Sequence, residues 1–369
     1  MGIYLLKKTA NTLLTLFGVV TIIFFLFNVL PGDPARMMLG QNEDQDQLAI
    51  VQKKYGFDQP LLTQYGYYLN DLSPLSFHWH SPDHYTSLES GNYTFRHLIK
   101  LNNGSWVVKY PFLRRSFTKQ GKKVTQILKE TLPNTFILAA ASISIALVLG
   151  LFLGLVSALY KDQWQDRSIL VISTLGMSLP SFFTAIIAAW IFGFVWHEYT
   201  GLEMTGSLYE LDDFGEANRL QLKNLILPAL VLGIRPLAVV SQLMRNSLLE
   251  VYNQEYIKTA KAKGLGPRKV LFKHAFKNAL SPVVTAISGW FASMLAGAVF
   301  VEYVFGWNGL GKEIVNALNT LDLPVIMGAV LIIATIFVIL NIFVDLLYCL
   351  LYTSPSPTRQ EAISYAVFC

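Results

Sequence analysis

The chain has 369 residues, of which 53% are hydrophobic, 13% aromatic and only 14% charged. A chain this apolar reads as one that crosses a membrane several times, so counting soluble domains by length does not apply. The net charge of +5 gathers in one loop between apolar runs and is no nucleic-acid footprint; the two cysteines, Cys349 and Cys369, sit at the extreme C-terminus, which excludes a disulfide framework in the exported regions and a catalytic cysteine cluster.

Thr9 to Leu30 carries no charge and follows Lys7 and Lys8. It is too long for a signal-peptide core and lacks a small-x-small cleavage site, so residues 1–30 are expected to form an uncleaved transmembrane helix with a cytoplasmic N-terminus. Leu-Pro-Gly-Asp-Pro-Ala, 30–35, stops that helix, because two prolines and a glycine cannot continue it. Asp33 in it is either a cap or part of a simple interface turn.

Residues 31–131 form an exported segment of mixed polarity. Within it, 73–110 is rich in aromatics, histidine, serine and asparagine. His78, His80 and His84, with Asp83 beside them, are weak candidates for a Zn, Ni or Cu site. A polar exported loop that happens to hold histidines is the competing reading, and no second ligand set is evident.

Asn134 to Tyr160 is the second expected span, and 161–167 a short cytoplasmic turn. The third span, 168–196, has an unusually polar centre, Ser-Thr-Leu-Gly-Met-Ser-Leu-Pro-Ser-Phe, that contains Pro180. Proline and small polar residues are tolerated in a span where neighbours satisfy the freed backbone. Ser178 and Ser181 are candidates for a translocation path; packing between helices would use the same residue types.

Residues 197–223 hold two Lys or Arg, whereas 245–280 hold eight, which places the second loop in the cytoplasm. The fourth span, 225–244, joins them and carries one charge, Arg235, near its middle. An arginine at that depth costs several kcal/mol unless it faces a polar cavity or a partner. It either meets a carboxylate-bearing substrate or satisfies carbonyls at an Arg235-Pro236 break. The fifth span, 279–301, is followed by Val-Glu-Tyr-Val-Phe-Gly-Trp-Asn-Gly-Leu-Gly, 301–311, with Glu302 at its outer end, where it shapes a gate or anchors the helix. The sixth span is 323–344. After 348 the composition changes abruptly, and 349–369 is expected to be a non-native tail.

The chain is organised around Glu255 to Pro282: a basic helix, a glycine turn at Gly264 and Gly266, and a second basic helix begun by Pro267. Tyr252, Tyr256 and Thr259 recur at helical spacing as a packing face. Lys269, Lys273 and Lys277 line the second helix beside an apolar arc of Leu271, Phe272, Ala275, Phe276 and Ala279. From pattern alone, such a hairpin either docks in a partner's groove or lies on anionic lipid.

Lys258, Thr259, Ala260, Ala262, Lys263 and Gly264, followed by Leu265, resemble the coupling-loop motif of ABC-importer permeases of the dipeptide, oligopeptide and nickel subclass. Residues 30–35 resemble the string that closes the first span in that family. Residues 301–311 resemble its Val-Glu-x-Val-Phe-x-x-Pro-Gly-Leu-Gly string, with Asn308 where proline is usual. The resemblance covers about 2–347, with 73–110 as an apparent insertion. It implies an all-α polytopic membrane protein of six transmembrane helices, the type I importer permease fold, with a core at 132–348 and a cytoplasmic coupling loop near 246–280. It further implies a bacterial inner-membrane location, a homologous second permease, two cytoplasmic ATPases, an extracytoplasmic solute-binding protein, and a path for peptides or similar small solutes. Ser178, Ser181, Arg235 and Glu302 are the candidate path residues. ATP and Mg would be used by the ATPases, since this chain has no Gly-x-x-x-x-Gly-Lys-Ser/Thr motif and no cofactor of its own is expected. The rival readings are a nickel or metal-chelate permease and a secondary transporter without an ATPase. The latter often shows inverted repeats and intramembrane acids, and neither is evident.

Overall fold

The computed structural model describes residues 2–29, 35, 45–81, 84–88, 91–119, 121–211 and 218–352. The helix-stopping stretch 31–34 with Asp33, together with Asp83, 212–217 and the tail from 353, lies outside them. The chain divides into two compact units, one built on Leu132–Lys312 with the two chain ends, the other on Leu5–Thr131 with Glu313–Ala334.

The second unit contains most of α1 (Gly2–Val29), then α2 (Gln45–Tyr55), α3 (Leu61–Leu72) and strands β1 (Leu75–Trp79), β2 (Phe95–Lys100) and β3 (Gly104–Lys109). The strands form an antiparallel sheet in the order β1-β3-β2, with Phe77 opposite Trp106. Phe24 of α1 stacks on Tyr68 of α3 at 5.5 Å and shares a core with Met327. Asp322 accepts hydrogen bonds from the Phe117 and Thr118 backbone N–H groups, at 3.1 and 3.3 Å, and from the hydroxyls of Ser116 and Thr118.

Strands at 73–110 are not evident from the sequence, because the sheet is inverted. Ser76, His78, Ser105 and Lys109 face inward and are buried, whereas Leu75, Trp79, Trp106 and Val108 point outward. The inner face, on which Val107 is also buried, carries a hydrogen-bonded polar network around Asp71, which is fully buried. Tyr85, Tyr93 and Arg114 donate to its carboxylate at 3.1, 2.8 and 3.0 Å, and the Lys109 ammonium donates to its backbone carbonyl at 2.6 Å. A buried carboxylate persists only when charge-assisted bonds replace its hydration. Burial pushes the Tyr68 phenol up to about 12 and the Lys109 amine down to about 8.

The first unit contains α4 (Val124–Leu159) from Leu132 onward, α5 (Trp164–Ser178), α6 (Ser181–Trp190), a short β4–β5 ribbon (Tyr209–Leu211, Asn218–Leu220), α7 (Lys223–Tyr252), α8 (Glu255–Ala262), α9 (Phe276–Gly297), α10 (Val299–Val304), the start of α11 (Leu310–Asn319) and the end of α12 (Leu323–Tyr352). Its core gathers Leu138, Leu227, Leu232, Met294, Phe305 and Trp307.

Among the described residues, α1, α4, α7 and α12 are each long and apolar enough to cross a membrane. The expected third span is not one straight helix: α5 and the helix from Ser181 to Val195 meet at 106°, a broken span or a re-entrant loop. Pro180 is the cause. It lacks an N–H and disfavours helix at Leu179, which is extended with ψ 135°. The expected fifth span corresponds to α9; its 22 residues reach about 33 Å, enough for the hydrocarbon core.

Candidate coupling segment and intramembrane cavity

The basic segment forms the hairpin that its glycines and proline dictate. α8 ends at Lys263. Gly264 follows at φ +77°, a left-handed conformation that costs any residue with a Cβ about 1 kcal/mol or more. No neighbouring atom lies within 4 Å of where that Cβ would be, so the demand at Gly264 is conformational and not steric. Pro267 opens the next helical turn, and Val270–Ala275 is wound as a π-helix before α9 begins.

The buried face of α8 is Ile257 and Ala260. Tyr256 and Thr259, expected to pack, are exposed. Ile257 and Ala260 join Val240, Met244 and Leu248 of α7, Ala158 of α4, and Val270, Leu271, Ala275 and Ala279. Of the expected apolar arc, Phe272 lies on the surface. The Asn278 amide donates to the Tyr256 hydroxyl at 2.8 Å, tying the arms of the hairpin together. Lys258, Thr259, Lys261, Ala262, Lys263 and Gly264 remain exposed, with Leu265 half-buried beneath them. The outcome is a rigid turn with a cationic outer surface and an apolar inner one.

At the bend between α5 and α6 lies a cavity of about 90 Å³. Ser181, Thr184, Arg235, Trp290, Ser293 and Met294 line it, drawn from α6, α7 and α9. A terminal nitrogen of Arg235 donates to the Leu179 carbonyl at 3.2 Å, so the one charge within 225–244 satisfies backbone freed by Pro180 in the adjacent helix. Ser181 and Arg235 therefore meet. Ser178 is not part of this lining; its hydroxyl donates back to the Thr174 carbonyl at 2.8 Å. Trp290 and Thr184 carried no signal of their own in the sequence, since one tryptophan or threonine in an apolar run is ordinary.

Glu302 is placed elsewhere. It is fully buried in α10, and Oε2 accepts the Gly311 and Lys312 backbone N–H groups at 2.6 and 3.4 Å. Gly309 and Gly311 form its seat; a Cβ on Gly309 would overlap the carboxyl. The Thr135 hydroxyl accepts the Leu310 N–H at 2.7 Å, and the Trp307 indole donates to the Asn134 carbonyl at 3.0 Å. The 301–311 string is thus a compact cap closed on an internal carboxylate.

The three histidines have separate partners. His78 bonds the Thr86 carbonyl and the Ser76 hydroxyl, His80 the Ser105 hydroxyl, and His84 the Thr86 hydroxyl. No group of three His, Cys, Asp or Glu side chains among the described residues is placed to hold a metal ion.

Residues 146–354 match the family described as binding-protein-dependent transport system inner membrane component, and residues 1–76 match the N-terminal part of such membrane components. The chain is 31% identical over 358 residues to the dipeptide transport system permease protein DppB of Alkalihalophilus pseudofirmus, covering 94% of this chain and 96% of that one. It is 30% identical over 359 residues to the di/tripeptide transport system permease protein DppB of Pseudomonas aeruginosa, again covering 94% and 96%. With four helices able to span a bilayer, a fifth broken one and a match over most of its length, this multi-pass membrane chain belongs to the family of binding-protein-dependent transport system inner membrane components, the permease subunits of ABC transporters.

Proposed function

We propose that the chain forms one half of the path by which a peptide-importing ABC transporter carries its cargo inward, with α8 and the π-wound turn as the element pushed by a separate ATPase. The observation that carries this reading is the hairpin itself. It presents a cationic surface outward while its apolar side is fixed to α7, so a force on the hairpin is delivered to a membrane helix and not lost in a flexible loop. The names of the two relatives support peptides as cargo. In this reading the complex also holds a homologous second permease, two cytoplasmic ATPases that use ATP and Mg, and an extracytoplasmic binding protein. Alternation between inward- and outward-facing states requires those partners to bind the two states with different free energies. The inner membrane is the location, with both termini in the cytoplasm.

Gly264→Asp tests the coupling. It puts a Cβ where φ is +77° and an acid on the cationic surface. The expected variant reaches normal membrane abundance, loses ATPase co-purification and does not import dipeptide. Normal ATPase association with full uptake would remove the hairpin from the coupling role. Gly264→Asn, which bears the same left-handed Cβ as Asp and differs from it in adding no charge, is expected to retain most of the activity.

A further inference from the structure

The cavity at the α5–α6 bend has an electrostatic character that packing does not explain. Arg235 brings five N–H donors on a planar guanidinium, and one bond, to the Leu179 carbonyl, engages it among the described residues. Among the described residues, no acidic side chain lines the cavity. The N-terminus of α6 opens into the same space at Ser181, with no side chain capping it. The end of a ten-residue helix adds uncompensated N–H groups and a positive partial charge beside the guanidinium. Leu232, Trp290 and Met294 give the cavity an apolar wall beside the guanidinium, which is itself exposed.

We infer that this cavity binds the C-terminal carboxylate of the transported peptide, with Arg235 as the anchoring cation and the Ser181 end of α6 as a second donor. The inference rests on the peptide reading above. A guanidinium fork matches a carboxylate through two parallel bonds. The volume, about 90 Å³, compares with about 10–15 Å³ needed on the same measure to hold one water, so it has room for a carboxylate group. A terminal carboxylate is common to all free peptides, so this anchor holds cargo without reading its side chains. Selectivity for free acids over amidated peptides follows.

The test uses the assembled importer without its binding protein or ATP, with Cys349 and Cys369 replaced by serine and a reporter thiol introduced as Ser293→Cys at the cavity rim. The rate of N-ethylmaleimide labelling is measured with millimolar dialanine and with dialanine amide. Dialanine is expected to slow labelling several-fold and the amide not at all. Arg235→Gln abolishes the protection, and Arg235→Lys, which keeps a charge but loses the fork, retains a weaker preference for the acid. Equal protection by acid and amide, protection that survives Arg235→Gln, or no protection by either overturns the site. Dialanine uptake by the wild-type importer in proteoliposomes separates the two readings. Uptake without protection leaves the peptide reading and removes this site; Arg235-dependent protection without uptake of dialanine or longer peptides keeps the carboxylate site and removes the peptide reading.

Discussion

Arg245 holds Asp166 through two parallel bonds, Nε to Oδ1 and a terminal nitrogen to Oδ2, both at 2.7 Å. The Ser157 hydroxyl and the Asp162 backbone N–H donate to the same carboxylate. One buried acid thus fastens the end of α4, the start of α5 and the last turns of α7, directly before the coupling hairpin. Asp166→Ala leaves a largely buried guanidinium without its partner and is expected to cost about 3–5 kcal/mol. Thermal unfolding of the detergent-purified chain checks it. The Asp166→Leu, Arg245→Met double variant should lose clearly less than the sum of the single changes, because the pair acts as a unit.

The Glu302 seat makes a second prediction. Gly309→Ala forces the carboxyl away from the Gly311 N–H and is expected to destabilise by about 1–3 kcal/mol, as overpacking does. Glu302→Ser in the Gly309→Ala background restores room and should recover part of the loss. A double-mutant cycle on the unfolding midpoint reads this directly; strictly additive losses would mean that the two residues do not touch.

The unit that carries the three-stranded sheet should be acid-sensitive. His78 is neutral and satisfied on both nitrogens: Nδ1–H donates to the Thr86 carbonyl at 2.7 Å, and Nε2 lies 2.9 Å from the Ser76 hydroxyl. Burial lowers its pKa from 6.5, opposed by the Thr86 bond, while Lys109 lowers it further and Asp71 raises it. A base with a depressed native pKa takes up its proton more readily when unfolded, so stability falls as pH drops below the unfolded value of about 6.5. Hydrogen-exchange protection across 75–109, taken relative to the intrinsic rate at each pH, is expected to fall on acidification in the wild type and to fall less in His78→Gln. An equal fall in both would place the titration elsewhere.

Topology is tested at two exposed positions. Tyr199→Cys is expected to react with a membrane-impermeant maleimide from outside intact cells, and Lys263→Cys only after the membrane is opened. The reverse pattern would invert the assignment of the basic loop to the cytoplasm.

The helix–turn–helix shape of 255–282 was legible because its signals are local: charge, two glycines and a proline within a few residues. Its packing face was read only in part: Tyr252 packs against the cluster as expected, but Tyr256 and Thr259 are exposed and Ile257 and Ala260 pack instead, two residues that give a weak periodic signal in so short a helix. Arg235 stood out as a lone charge in a span. Its partner did not, since the Leu179 carbonyl lies 56 residues away and becomes free only when Pro180 breaks the neighbouring helix. Glu302 was visible as a motif position, but its burial depends on a loop folding back over it. The sheet escaped notice because a hydropathy pattern reports apolar residues and is silent about which face they take.

That inversion reverses the usual effect of substitution in the sheet. At Trp79 and Trp106, a change to serine or threonine should leave the fold intact and make the chain less prone to aggregate. At Ser76 and Ser105, a change to leucine should unfold the sheet, because it places hydrocarbon among donors and acceptors that need partners. The outer face also sets a practical condition on handling. Leu75, Trp79, Trp106 and Val108 present contiguous aromatic and aliphatic surface to water in the folded chain, so the purified protein should clump through this face unless detergent covers it.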